Sequence, residues 1–240
     1  MTENDPNEAN TAPWSFRSGD LALDFANTVD WHDSEAPDEL LNDYIDLLSW
    51  SVDFEVLDEP VRRRLDRWAE ANPGKAEAAL EQARTLREAV YRIFKAAADE
   101  REPTQVDLDI LADAYAQAVD LGQLVVNQSG AAWSWEGPAG SIDFTRGTLR
   151  SSRLRSDEAS HQALGAGYPQ QLPMLWPVAA AAVTLLLSKE IERVGQCRDD
   201  RGCGALFLDA SRNRSREWCR METCGNRAKA RRHYERTRAG

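Results

Sequence analysis

The chain has 240 residues, 42% of them hydrophobic, and carries a formal net charge of −11 with a pI near 4.9. That size suits one domain with a real core plus a small appendage. The acidity argues against attachment to a membrane surface, and the longest apolar run, Met174 to Leu187, is well short of the ~20 residues that span a bilayer.

Residues 1–13 (MTENDPNEANTAP) are polar and Pro-bearing, which predicts disorder, and they lack a charged-then-apolar leader pattern. A cytoplasmic, reducing setting follows as the expectation. Order should begin at Trp14, with Asp20 capping a helix whose Leu21, Phe25 and Val29 share a face. On that helix Asp24, Asn27 and Trp31 fall at i, i+3 and i+7. A carboxylate, an amide and an indole so placed could line a pocket for a small polar effector, or Asp24 and Asn27 could satisfy buried backbone groups. Residues 38–50 predict a second helix with Leu40, Leu41, Tyr44, Leu47 and Leu48 inward. Asp58 and Pro60 then open a third that stops at Asn72-Pro73-Gly74.

The longest helical pattern spans 76–98, with Ala79, Ala83, Leu86, Val90, Ile93 and Phe94 as its core stripe and Arg84, Arg87, Arg92 and Lys95 as a solvated face. Thr104 caps a further helix presenting Leu108, Leu111, Tyr115 and Val119 to the core. The character then changes. Residues 124–127 and 131–135 flank a turn at Gln128-Ser129-Gly130 and predict a hairpin, with Ser141 to Phe144 as a third strand. Trp133 and Trp135 would share one side of that sheet, as packing residues rather than a stacking platform. Residues 145–171 read as a mobile loop, and 172–194 as a buried helix leading directly into the C-terminal segment.

All four cysteines lie in that segment, as Cys197-x5-Cys203, a fifteen-residue spacer, and Cys219-x4-Cys224. Two close pairs so separated are what a tetrahedral Zn2+ site requires, and four thiolates close it to water, making one structural ion per chain the expected cofactor. Two disulfides also fit the spacing but not a reducing compartment. Three cysteines with Asp199, Asp200 or His233 would be a mixed alternative. Gly204 and Gly225 should let the backbone fold back toward sulfur. Residues 205–208 read as a strand, and residues after Cys224 as a helix aimed at the site. The predicted architecture is mainly α: a helical domain with a small antiparallel sheet over 14–195, then a treble-clef-like finger over 196–240.

Residues 211–240 hold ten Lys and Arg against Glu217, Glu222 and Glu235, so this tail is strongly basic on an acidic body. Such asymmetry suits a polyanion partner, duplex DNA above all, with Arg212, Arg214, Arg216, Arg220, Arg227, Lys229, Arg231 and Arg232 as contacts. The competing reading pairs these arginines with acidic neighbours and the thiolates. On the last helix Arg227, Arg231, Tyr234 and Arg238 form one stripe and Lys229, Arg232 and Arg236 another, and phosphate binding would use both.

Cys224-Gly225-Asn226-Arg227, within LFLDASRNRSREWCRMETCGNRAKARRH, resembles the CGNR zinc finger, although the family usually has four residues inside the first pair. The run Leu23 to Thr28 is similar to the opening of the ABATE domain, which precedes that finger. This resemblance implies a stress-induced transcription regulator. With three scattered histidines, His32, His161 and His233, and no catalytic motif, an enzyme is not expected. A lone finger reads few base pairs, so homodimerisation would serve sequence-specific recognition.

Overall fold

A computed structural model describes residues 14, 16–127, 130–137, 140–145, 148–149 and 172–239, with the backbone alone at 125, from 127 to 149 and at 239. The expectations for residues 1–13, for most of 145–171 and for the side chains of Trp133 and Trp135 lie outside the described residues.

The first helix, α1 (Leu21–Ala26), starts where Asp20 accepts a hydrogen bond from the Ala22 N–H at 2.8 Å. It stops five residues short of Trp31, the last position that the periodicity assigns to it. The Thr28 hydroxyl donates to the Phe25 carbonyl at 2.8 Å, and the chain turns into β1 (Val29–Asp30), paired antiparallel with β2 (Asp38–Glu39). The second helix is correspondingly late. It runs as α2 (Tyr44–Asp53) because Asp43 and Asp46 form a reciprocal capping box, so residues 38–43 are strand and turn rather than helix.

Asp58 accepts from the Val61 N–H at 2.9 Å and Pro60 occupies the first turn of α3 (Glu59–Ala71). The 26-residue α4 (Pro73–Ala98) follows at once and extends about 39 Å. Thr104 caps α5 (Gln105–Leu121), whose inward positions are Asp107, Leu111, Ala114 and Ala118; Val119, expected inside, is 39% exposed. An antiparallel sheet in sequential order follows: β3 (Gly122–Asn127), β4 (Gly130–Gly137), β5 (Gly140–Thr145) and β6 (Thr148–Leu149). Strands β3 and β4 pair antiparallel, as the expected hairpin requires.

Helix α6 (Leu175–Leu187) buries Leu175, Val178, Ala179, Ala182 and Leu185. Ser188 ends it, donating to the Leu185 carbonyl and accepting from the Glu190 N–H. One tight turn (Lys189–Arg193) then leads into β7 (Val194–Gln196), which pairs antiparallel with β8 (Leu206–Leu208). The expected helix running into the cysteines is therefore a helix, a turn and a strand. Alternation along β8 sends Leu206 into the helical core and Phe207 into the cysteine cluster. After a wide turn at Met221–Gly225, α7 (Asn226–Ala239) closes the fold. No helix among the described residues is long and apolar enough to cross a membrane.

Helix α4 lies at the centre, packed against α1, α2, α3, α5, α6 and the β7–β8 hairpin. Its stripe from Ala79 to Phe94 is buried as predicted. Its cations are paired rather than left to solvent alone, although Arg92 remains exposed. Arg87 grips Glu39 through two bonds of 2.6 and 2.7 Å, Arg84 donates to the Leu41 carbonyl at 2.6 Å, and Arg92 and Lys95 pair with Asp107 and Asp33. A helix with chain on most sides has little solvent to offer a charged face, so the charges find partners. The Arg87 side chain is 4% exposed. Because Arg87 keeps Glu88 at 3.0 Å, Glu39→Ala should cost about 1.5 to 3 kcal/mol, the loss of hydrogen bonds to a charged group, read as a shift in the urea midpoint; an unchanged midpoint would mean that the pair contributes nothing.

Candidate metal centre and its cationic surround

The strand β7 delivers Cys197, the turn before β8 delivers Cys203, and the segment leading to α7 delivers Cys219 and Cys224. Their four sulfurs lie within 4.8 Å of one another, with Cys203 to Cys219 at 3.7 Å and Cys219 to Cys224 at 3.5 Å. Zn–S bonds of about 2.3 Å imply tetrahedral edges of about 3.8 Å, so the set fits one structural Zn2+. Sulfurs this close cannot all ionise unaided. Hydrogen bonds from Cys203 and Cys219 hold the Cys197 thiol down, and the bonds with Cys197 push the Cys203 and Cys219 thiols up. A dication among them removes that conflict.

The mixed-ligand alternatives fall away on geometry. Asp199 accepts from Arg227 at 2.7 and 3.0 Å, Asp200 pairs with Arg231, and His233 is exposed on α7. Around the sulfurs stand donors that offset the surplus negative charge: the N–H groups of Asp199 and Cys219 at Cys197, that of Ala205 at Cys203, and the Arg227 guanidinium 3.0 Å from Cys224 Sγ.

Each position of the Cys224-Gly225-Asn226-Arg227 signature has an internal task. Cys224 is a ligand. A side chain at Gly225 would collide with the Trp218 indole and the Met221 sulfur, so space rather than backbone freedom explains this glycine. The Asn226 amide donates to the Glu222 carbonyl at 3.2 Å. Arg227 joins sulfur, Asp199 and the ring of Trp31, whose centroid is 4.7 Å from the guanidinium carbon. Gly204 is different: its φ is +66°, and a Cβ there would meet the Tyr91 hydroxyl and Asp33.

The helical domain supports this centre closely. Asn27 donates to the Leu206 carbonyl and accepts from the Leu206 N–H, both at 2.8 Å. The N–H groups of His32 and Asp33 donate to the carbonyls of Cys203 and Gly202. The Tyr91 hydroxyl lies 3.0 Å from both Asp33 Oδ1 and the Gly204 carbonyl oxygen. Asp24 accepts from the Ser18 N–H at 2.6 Å. Asp24, Asn27 and Trp31 thus do not form the effector pocket that their spacing suggests: α1 ends before Asn27, Trp31 sits in a turn with φ 55°, and the three face different partners.

The basic candidates divide. Arg216 is spent on the carbonyls of Trp218, Leu208 and Cys219 and covers the Phe207 ring at 4.3 Å. Arg227 and Arg231 turn to Asp199 and Asp200, and Arg214 reaches Glu192 at 2.9 Å. Arg220 lies over Phe16 and near Asp30. Arg212, Lys229 and Arg232 stay exposed, and Arg236 joins Lys229 and Arg232 on one face of α7, as the stripe predicts. Sequence reasoning missed Trp218 and took Asp199 for a possible ligand rather than the partner of Arg227. Asp209 is 5% exposed and accepts from the N–H groups of Ser211, as a local turn would have it, and of Arg216 further along the chain.

Purified protein should contain one zinc per chain by elemental analysis, and Cys219→Ser should lose it together with the α7 helicity seen by circular dichroism; a full-length chain holding no metal would refute the assignment. A second outcome concerns Asp24, whose carboxyl is pushed up from 3.8 to about 6, first by burial, against the Ser18 hydrogen bond. A raised acid favours folding fully below its unfolded value, and that contribution is lost as pH rises through the folded one. Asp24→Asn keeps the acceptor for Ser18 and removes the charge. It should gain about 2 kcal/mol on wild type between pH 4 and pH 7, measured by urea unfolding; a pH-independent difference would contradict it.

Comparison with family models matches residues 19–189 to ABATE, described as "Putative stress-induced transcription regulator", and residues 193–237 to the CGNR zinc finger. Comparison with curated proteins finds no match. The ABATE match covers most of the chain, and the CGNR match covers the four-sulfur centre and the helix behind it. This chain is therefore a member of the ABATE family and carries a CGNR zinc finger after that domain.

Proposed function

We propose that the protein regulates transcription in the cytoplasm under stress by binding duplex DNA, without catalysis, through the outward face of α7. The observation that carries this reading is the division of cations on that helix. Arg227 and the exposed Arg231 are paired with Asp199 and Asp200, whereas Lys229, Arg232 and Arg236 lie exposed around a hollow that they share with Glu235. A row of cations at helical spacing on a rigid, metal-anchored helix suits a phosphate backbone. The acidic remainder of the chain would repel DNA and so orient it toward this face.

One finger contacts few base pairs, so a specific operator would take two copies of the chain. The proposed effector does not use Asp24, Asn27 and Trp31 as its pocket, since their side chains are engaged. A ligand that shifted residues 31–34 or the β7–β8 hairpin would instead move the basic face with them, provided that it bound the two arrangements unequally.

In fluorescence anisotropy with short duplexes, affinity should fall steeply with salt. Replacing Lys229, Arg232 and Arg236 together by Ala should reduce the slope of log K against log[salt] by about 2 to 3, with zinc content unchanged. Arg214→Ala should leave binding intact. Unchanged affinity in the triple variant would move the interface elsewhere, and no binding at low salt would favour a protein partner.

A further inference from the structure

Beside the outward face of α7 lies an open groove of about 530 Å3, between the segment preceding α1 and the second cysteine pair. Phe16 and Trp218 line it together with Lys229, Arg232 and Arg220. Glu217 and Glu222 share its wall, as do Arg17 and Arg216, whose guanidinium groups are committed to backbone carbonyls. Both rings are half-buried. The Arg232 guanidinium carbon is 5.8 Å from the Trp218 ring centroid, and that of Arg220 is 5.9 Å from Phe16.

The groove is built rather than improvised. Trp218 rests against Gly225 at the start of α7, and Phe16 packs on the cysteine cluster. The segment carrying Phe16 is anchored by Arg17, which donates to the Asp53 carbonyl at 2.8 Å and lies 3.5 Å from the Phe54 ring centroid. A phosphate backbone needs cations but no rings, and paired bases are already stacked inside the duplex. Rings flanked by cations meet the needs of an unpaired base and its neighbouring phosphates.

We infer that this groove seats an unpaired nucleotide of DNA, its base against Phe16 and Trp218 and its flanking phosphates on Lys229 and Arg232. The inference rests on the DNA-binding reading above and adds that the protein prefers an opened duplex to a fully paired one. It also makes the binding surface composite, because Phe16 belongs to the segment before α1 and not to the finger.

The test uses the full zinc-loaded chain and fluorescence anisotropy at fixed salt with three probes: a blunt duplex, the same duplex with a central run of mismatches, and the single strand. The mismatched duplex should bind about tenfold more tightly than the blunt one, the effect of stacking one base. Phe16→Leu and Trp218→Leu should each reduce that preference severalfold with blunt-duplex affinity and zinc content unchanged. Lys229→Ala should weaken all three probes alike. Equal affinity for paired and mismatched duplex, or a preference surviving both Leu variants, overturns this inference and leaves the DNA-binding reading standing; failure to bind any probe overturns both.

Discussion

Four thiolates around one dication leave a surplus of two negative charges in a partly buried place, and much of the C-terminal structure answers that surplus. Arg227 stands 3.0 Å from Cys224 Sγ, and Asp199 and Trp31 fix the guanidinium that does so. Once Arg227 is committed inward, the helix carrying it has its rotation set. Arg231, one turn further on, follows it toward Asp200, and Lys229, Arg232 and Arg236 are left facing out. Neutralising the metal centre and presenting a cationic face are thus two results of one helical phase.

The finger is not an appendage on a tether. Its first hairpin is shared, with Val194 and Leu206 in the helical core and Phe207 among the sulfurs. The backbone of Leu206 is held on both its N–H and C=O by Asn27, and Lys95 of α4 reaches Asp33 and Gln196 together. The Leu206 backbone groups are buried and would be costly to leave unpaired, which ties docking of the finger to the fold of the domain beneath it. The same economy explains α4, whose cations would be solvated on a peripheral helix and are clamps on a central one.

Some of this was legible in the residues. Capping chemistry is local, so Asp20, Asp58 and Thr104 mark helix starts whatever packs around them. The Asp43 and Asp46 box was equally local, yet the apolar spacing of Leu40 and Leu41 masked it, and β2 took residues that periodicity alone assigned to a helix. Asp24, Asn27 and Trp31 share helical spacing, but spacing has meaning only while the helix lasts, and Thr28 and the β1–β2 pairing end it.

From the chain alone came the metal: four cysteines in two close pairs specify ligand type, count and a closed site, because coordination chemistry depends on residue identity and short loops. The mainly helical body and the basic tail were legible for the same reason, as sums over many residues. Which arginines serve the protein and which face solvent was decided by tertiary structure, since a guanidinium's role depends on whether a carboxylate or a sulfur lies within about 3 Å. That distance is set by chain segments far away in sequence, and a pattern of charges cannot contain it.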